Sequence, residues 1–312
     1  MSSFNRFKHQ LDSALDLLEN SEQIKQLDLP QVLGAQMVDT ESLLSRCTHI
    51  CDKHKQKKPT IRIIHHLACS GGTLISKCIS AMPNVYLLSE VHPFTDLAKG
   101  RGKPKYAPSD ISLLAKYAGI PKQKDLAARI FKNSIDDVYQ HVESMGGILV
   151  LRDHTHADFN TDQSIPKKSS IVELLEEDYN VKSVLTIRNP IDSYASLFKN
   201  GWVHFKPQTF DEYCRRLLLL LDKFEGARVF KYEDFVDSPS LVMNEICDEF
   251  KIPFNNDFEM IFDYFSVTGD SGRSGAEISK RSRRSTSKEM TEQVQLSEFY
   301  AIIKSRYFND GL

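Results

Sequence analysis

Ile61-Arg62-Ile63-Ile64-His65-His66-Leu67-Ala68-Cys69-Ser70-Gly71-Gly72-Thr73-Leu74-Ile75-Ser76-Lys77-Cys78-Ile79 is the stretch whose reading sets the fold. It opens on a short run rich in β-branched residues, tightens at Ser-Gly-Gly-Thr, and continues as a helix. Glycines let backbone N–H groups approach oxygens closely, and a helix N-terminus adds unpaired donors and positive potential. The turn at Ser70, Gly71, Gly72 and Thr73 is therefore a candidate anion site. Taken alone, it reads equally well as a glycine-rich connection with Thr73 near the helix cap. It lacks the Gly-Lys-Ser/Thr of a Walker loop, so the lysine and hydroxyl that serve a nucleoside triphosphate and Mg²⁺ are missing. A P-loop kinase is accordingly the weaker enzyme alternative.

Outward from this stretch, similar apolar runs recur at 85–88, 147–151, 182–187 and 228–232. Helical patterns lie between them at 72–81, 109–118, 125–144, 168–178, 190–199 and 208–224. Strands alternating with helices, and apolar on both faces, predict an α/β three-layer sandwich around a central parallel sheet, of the P-loop NTPase-like kind. Ligands of such sheets bind beyond the C-terminal ends of the strands. Upstream, Phe4, Phe7, Leu11, Ala14, Leu15 and Leu18 follow steps of 3 and 4, and a second helix is read through Leu43, Leu44, Cys47, Ile50 and Cys51. The polar stretch from Lys53 to Pro59 separates them from the rest, so 1–58 is read as a helical N-terminal extension and 59–312 as the main domain.

The chain has 312 residues, 40 Lys plus Arg against 42 Asp plus Glu, a formal net charge of −2, 41% hydrophobic and 26% charged residues. Such a chain can bury a large core, and the values exclude a disordered chain, a collagen-like repeat and a disulfide-stapled miniprotein. The near-neutral balance argues against nucleic acid as a partner, so any anion site is local. No apolar run approaches the roughly 20 residues of a transmembrane segment. The longest, Leu217–Leu221, is read as core. The N-terminus carries no basic region followed by an apolar one, and the six cysteines are sparse; both suit reduced thiols and a cytoplasmic location. Cys47, Cys51 and His54 share a helix face, but no fourth ligand accompanies them, and no metal is expected. The basic loop Lys99–Lys105 is either solvated or a grip for an anionic acceptor.

A second anion element stands at the end of the fourth run, Thr186-Ile187-Arg188-Asn189-Pro190-Ile191-Asp192-Ser193-Tyr194-Ala195-Ser196. Arg188 closes a strand, Pro190 suits a first helical turn, and Ser196 lies eight residues beyond Arg188. A guanidinium with a hydroxyl two turns into the helix suits a phosphate. A lone arginine would more often be tied to a neighbouring carboxylate.

Together these elements resemble the sulfotransferase superfamily that uses 3′-phosphoadenosine 5′-phosphosulfate (PAPS). Residues 65–74 are similar to its 5′-phosphosulfate loop, and Arg-Asn-Pro-x-Asp-x-x-x-Ser over 188–196 matches its 3′-phosphate motif. Lys231-Tyr232-Glu233-Asp234-Phe235 is similar to its Tyr-Glu-Asp stretch. Gly269–Gly275, followed by basic residues at 280, 281, 283 and 284, resembles its C-terminal cofactor loop. The resemblance covers about residues 60 to 305 and implies PAPS as cofactor, without metal. Ser70, Gly71, Gly72 and Thr73 would hold the 5′-phosphosulfate, Arg188 and Ser196 the 3′-phosphate, Tyr232 would lie near the adenosine, and Arg273 would close over the 3′ side. The implied reaction is in-line transfer of a sulfuryl group to the hydroxyl of a small molecule, glycan or lipid.

Two departures shape the catalytic reading. The family carries Lys or Arg before the Ser/Thr-Gly of the loop, where this chain has Cys69. A thiol cannot stabilise the charge on the departing oxygen; His66, Lys77 and His154 are the candidate substitutes, and a catalytically impaired nucleotide-binding relic is the non-enzyme alternative. The third run ends Leu151-Arg152-Asp153-His154-Thr155-His156, similar to the Lys-Thr-His of cytosolic sulfotransferases, with His154 in the lysine position and His156 in that of the general base. Glu90, at the end of the second run, is the rival base; a carboxylate there also suits a helix cap or a pair with Lys77. Asp153 is read as orienting an imidazole. The N-terminal helices suggest a homodimer contact or a cover for the sheet.

Overall fold

Five parallel strands carry the five apolar runs, in a computed structural model that describes residues 58–95, 106–269, 277–280 and 286–308. In chain order the strands are β1 (Thr60–His65), β2 (Val85–Val91), β3 (Ile148–Asp153), β4 (Asn180–Ile187) and β5 (Arg228–Lys231). They lie in the order β2-β3-β1-β4-β5, with β1 central. Helices α1 (Gly72–Ser80), α2 (Ile111–Tyr117), α3 (Gln123–Ser144), α4 (Thr155–Phe159), α5 (Ser170–Leu175), α6 (Pro190–Lys199) and α7 (Phe210–Lys223) occupy the crossovers. Beyond β5 follow α8 (Tyr232–Asp237), α9 (Pro239–Phe250), α10 (Phe258–Ile261), α11 (Lys288–Leu296) and α12 (Glu298–Tyr307). The N-terminal extension, Lys99–Lys105 and Arg273 lie outside the described residues.

Side-chain alternation builds the two faces. Ile64, Val150, Val184 and Phe230 point one way, onto Ile75 and Ile79 of α1 and Val242, Met243 and Ile246 of α9. Ile61, Ile63, Leu149 and Leu151 point the other way, toward Ile135 of α3 and Ile171 of α5. Leu185 and Ile187 share that second face with Leu217, Leu220 and Leu221 of α7, so the leucine run is core. Both faces are covered, as strands apolar on both sides require.

Local chemistry marks several boundaries. Pro190 starts α6 and Asn189 caps it, its side chain accepting the Ile191 N–H at 3.0 Å. Thr209, Ser287 and Ser297 cap α7, α11 and α12 in the same manner. The alternation read from the sequence stops at β5, whereas the structure continues through five more helices. Tyr232 begins α8 directly from the strand, with Glu233 and Asp234 in the first turn, where the sequence suggests only a turn. Val242, Met243, Ile246, Cys247 and Phe250, all buried on α9, carry the helical spacing that signals this helix.

At the C-terminal end of β3 the alternation separates two charges. Asp153 turns to the α5 face, where its Oδ2 accepts from His65 Nδ1 at 2.8 Å, Thr155 Oγ1 at 2.8 Å and Ser169 Oγ at 3.4 Å. His65 Nε2 meets Ser183 Oγ at 3.1 Å, which joins β3, β1 and β4 through one buried chain of bonds. Asp153→Ala strands those donors in the core and should cost about 3–5 kcal/mol in denaturant unfolding. Lys132→Ala, which removes an exposed pair with Asp178, should cost less than about 1 kcal/mol in the same measurement.

Candidate functional site

The turn after β1 is shaped by two aromatic rings. Gly71 caps α1 with φ +87°, and a Cβ there would lie 2.2 Å from Cδ2 of Tyr232. Gly72, the first helical residue, leaves a Cβ 2.1 Å from Nε2 of His66. Cys69 is also left-handed at φ 68°, a conformation a side chain tolerates poorly. No acidic residue stands in the first turn of α1. Among the described residues, the amides of Gly71, Gly72 and Thr73 donate to no protein acceptor, so three N–H groups and the helix dipole converge on one spot. The Ser70 hydroxyl is spent inside the turn on the Leu67 carbonyl at 2.6 Å, and Ser70 does not line the cavity.

Arg188 ends beside the same turn from the opposite direction. Its guanidinium lies 4.9 Å from the centroid of the Tyr232 ring, whose edge fills the space left by Gly71. No described carboxylate pairs with it. The adjacent acid, Glu233, instead accepts the Asn189 N–H at 2.9 Å, and burial pushes its carboxyl above the usual range. Ser196 on α6 is buried, and its Oγ has no partner among the described residues. It does not line the cavity.

A cavity of about 170 Å³ opens over this corner. It gathers Gly71, Gly72, Thr73, Glu90, His154, His156, Arg188 and Tyr232 from the residues singled out in the sequence. His66, Cys69 and Lys77, also named in the sequence analysis, line it as well, together with Arg152 and Trp202. Glu90 reaches the cavity because β2 bulges between Leu88 and Val91, with Glu90 at φ 56°. Its carboxylate pairs with Arg152, Oε1 to Nη2 at 3.2 Å, and not with Lys77, whose Nζ meets Asp263 at 3.3 Å. Lys280 of the C-terminal basic segment pairs with Asp237 at 2.6 Å.

The histidines of the cavity are held neutral. Burial lowers the His66 imidazole well below its ordinary value, with Arg152 and His65 adding to the effect. His66 Nε2 accepts from Arg152 Nε at 3.0 Å, so its proton sits on Nδ1, a buried atom without a partner among the described residues. Burial also lowers His154, against the opposing pull of Glu90. His156 is pushed down to about 3, first by burial and then by His154 and His204, whose rings lie 6.3 and 5.7 Å away. The Trp202 backbone acts against that shift, yet neither ring nitrogen of His156 completes a hydrogen bond among the described residues. A neutral imidazole offers one donor and one acceptor.

Sequence reasoning placed Arg152 at the end of the third run and gave it no role, yet it lines the cavity. Its period-two position on β3 was legible: Ile64 and Arg152 are register partners and share the α1 face, so the side chain runs toward the glycine turn. Trp202, the single tryptophan of the chain, was also not singled out. It lies in the loop after α6, whose path over the cavity no local pattern encodes. Among the described residues no group of three or more His, Cys, Asp or Glu is arranged to hold a metal, and no helix is long and apolar enough to cross a membrane.

No family model matches this sequence, and no curated protein matches it. Solved structures do resemble it. The sulfotransferase domain from the Synechococcus PCC 7002 olefin synthase is 15% identical over 82% of this chain and 97% of that one, with a TM-score of 0.50. The sulfotransferase domain from the curacin biosynthetic pathway is 16% identical over 80% of this chain and 98% of that one, at 0.48. A mouse sulfotransferase complexed with PAP is 12% identical over 79% of this chain and 88% of that one, at 0.40. The first of these likenesses establishes the fold: the chain folds as a sulfotransferase domain does.

Two outcomes test the geometry. Gly72→Ala drives a methyl group into the His66 ring and should destabilise the fold by about 1–3 kcal/mol in thermal unfolding. A histidine held neutral in the fold takes up its proton only on unfolding, so its stabilising share is complete above pH 6.5 or so and declines as pH falls toward 3. Unfolding free energy should therefore drop between pH 7 and pH 4, and His156→Asn should flatten that slope.

Proposed function

We propose that the protein is a PAPS-dependent sulfotransferase that moves a sulfuryl group to an acceptor hydroxyl. The observation that carries the reading is the pairing of two separate anion receivers across the Tyr232 ring. One is made by the free amides of 71–73, the other by Arg188, which no described carboxylate neutralises. A nucleotide with anionic groups on both ends of one ribose needs two such receivers.

The residues fit that group. The unpartnered hydroxyl of Ser196 and the guanidinium of Arg188 supply a phosphate oxygen with a donor and a charge. The amides and hydroxyl at 71–73 supply the other end, with a helix N-terminus behind them. Tyr232 presents a ring for an adenosine. When bound, PAPS supplies an activated sulfuryl group and a bisphosphate leaving group. His156, neutral and buried, takes the acceptor's hydroxyl proton on its free ring nitrogen; Glu90 is the alternative acceptor of that proton. Holding donor and acceptor together in this cavity supplies much of the rate. The described residues leave the acceptor open among small molecules, glycans and lipids, and a cytoplasmic location and homodimer formation stay part of the proposal.

Isothermal calorimetry should show PAP binding to the wild type and a loss of roughly 10- to 100-fold in Arg188→Ala. Labelled PAPS offered with a panel of glycans, glycolipids and small alcohols should yield a sulfated product in the presence of EDTA. His156→Gln should lower turnover by roughly 10²–10⁴ while PAP affinity holds. PAP binding without transfer to any acceptor would instead favour the nucleotide-binding relic that Cys69 suggests.

A further inference from the structure

Among the described residues, the buried cation at the glycine turn is Arg152. Lys77 is tied to Asp263, Arg188 lies on the far side of Tyr232, and His66, His154 and His156 are neutral. Arg152 is 4% exposed and permanently charged. Its two edges differ. Nε and Nη1 are anchored on neutral acceptors, His66 Nε2 at 3.0 Å, Ser89 Oγ at 3.1 Å and the Thr268 carbonyl at 2.8 Å. Nη2 makes the longer contacts, Thr73 Oγ1 at 3.2 Å and Glu90 Oε1 at 3.2 Å. Thr73 belongs to the turn whose amides are free, so Nη2 stands at the edge of the anion site.

We propose that Arg152 is the exchangeable cation of this site: an anion bound at the glycine turn takes its Nη2 edge from Glu90, and the guanidinium carries the charge that residue 69 lacks. This rests on the reading that a 5′-phosphorylated or phosphosulfated nucleotide binds at 71–73. Glu90 is the right partner to be displaced. Its side chain is 30% exposed, so the released carboxylate meets water at small cost, whereas the anchored edge holds the guanidinium in place. The carboxylate also lies beside Gly269, where a Cβ would come 2.0 Å from Oε1. Two anions, the Glu90 carboxylate and the ligand, then compete for the Nη2 edge. No bond is made or broken in the exchange; the proton stays on the guanidinium throughout.

The competition has a signature that a structural role would not produce. Glu90→Gln keeps the shape, removes the competing charge, and should tighten PAP binding by roughly 5- to 10-fold. Arg152→Met should weaken it by roughly 10- to 100-fold, and in that background Glu90→Gln should have no effect. Adenosine 3′-phosphate, which lacks the 5′ group, should bind all four proteins equally. Fluorescence of Trp202, which lines the cavity, and calorimetry both read these affinities. Unchanged or weaker PAP binding by Glu90→Gln, or equal losses for both nucleotides in Arg152→Met, would overturn the exchange while leaving the sulfotransferase reading intact. A wild-type protein that binds neither nucleotide would overturn that reading and the exchange with it.

Discussion

Arg152 and Asp153 are consecutive residues at the end of one buried strand, and the pleat sends them to opposite faces of the sheet. That parting organises the molecule. Asp153 goes to the face of α5 and closes the buried chain with His65 and Ser183. Arg152 goes to the face of α1 and reaches the glycine turn, the bulge of β2 and the carbonyl of Thr268. Each charge has its partners only because β3 lies between β1 and β2 in this register. A slip by one residue would exchange the two environments, burying a carboxylate beside the anion site and a guanidinium against His65.

The electrostatics of the cavity follow from the same burial. Three imidazoles are kept neutral by desolvation, so they add hydrogen-bonding capacity without fixed charge. Among the described residues, fixed positive character comes instead from backbone amides, Lys77, Arg152 and Arg188. Separating neutral from charged donors in this manner suits the proposed binding of an anionic nucleotide and the proposed uptake of a proton from a neutral hydroxyl. Tyr232 is the mechanical link: its ring occupies the space beside Gly71 and carries the Arg188 guanidinium on its face, so the two anion receivers are held at a fixed spacing.

Much of this was legible in the linear pattern. The five strands, the glycine turn at 71–73, the capped α6 with Pro190, and the leucine core of α7 each follow from periodicity and capping chemistry local to a few residues. Glu90 and His156 were legible as candidates because they end apolar runs, where ligands of parallel sheets bind. The pairing of Glu90 with Arg152, in preference to Lys77, was not legible. It depends on a bulge and on which lysine finds Asp263, and both are settled by packing between elements far apart in the chain.

The sequence by itself determined an alternating α/β chain with two candidate anion-binding elements at strand ends, because side-chain period and turn chemistry act over a few residues. Only the tertiary structure decided that these elements meet at Tyr232, that Ser70 turns inward, and that Arg152 reaches Thr73 of the glycine turn. Those outcomes are set by strand order and register, which bring residues some 80 to 160 positions apart into contact, and long-range pairing of that kind leaves no local mark on the chain.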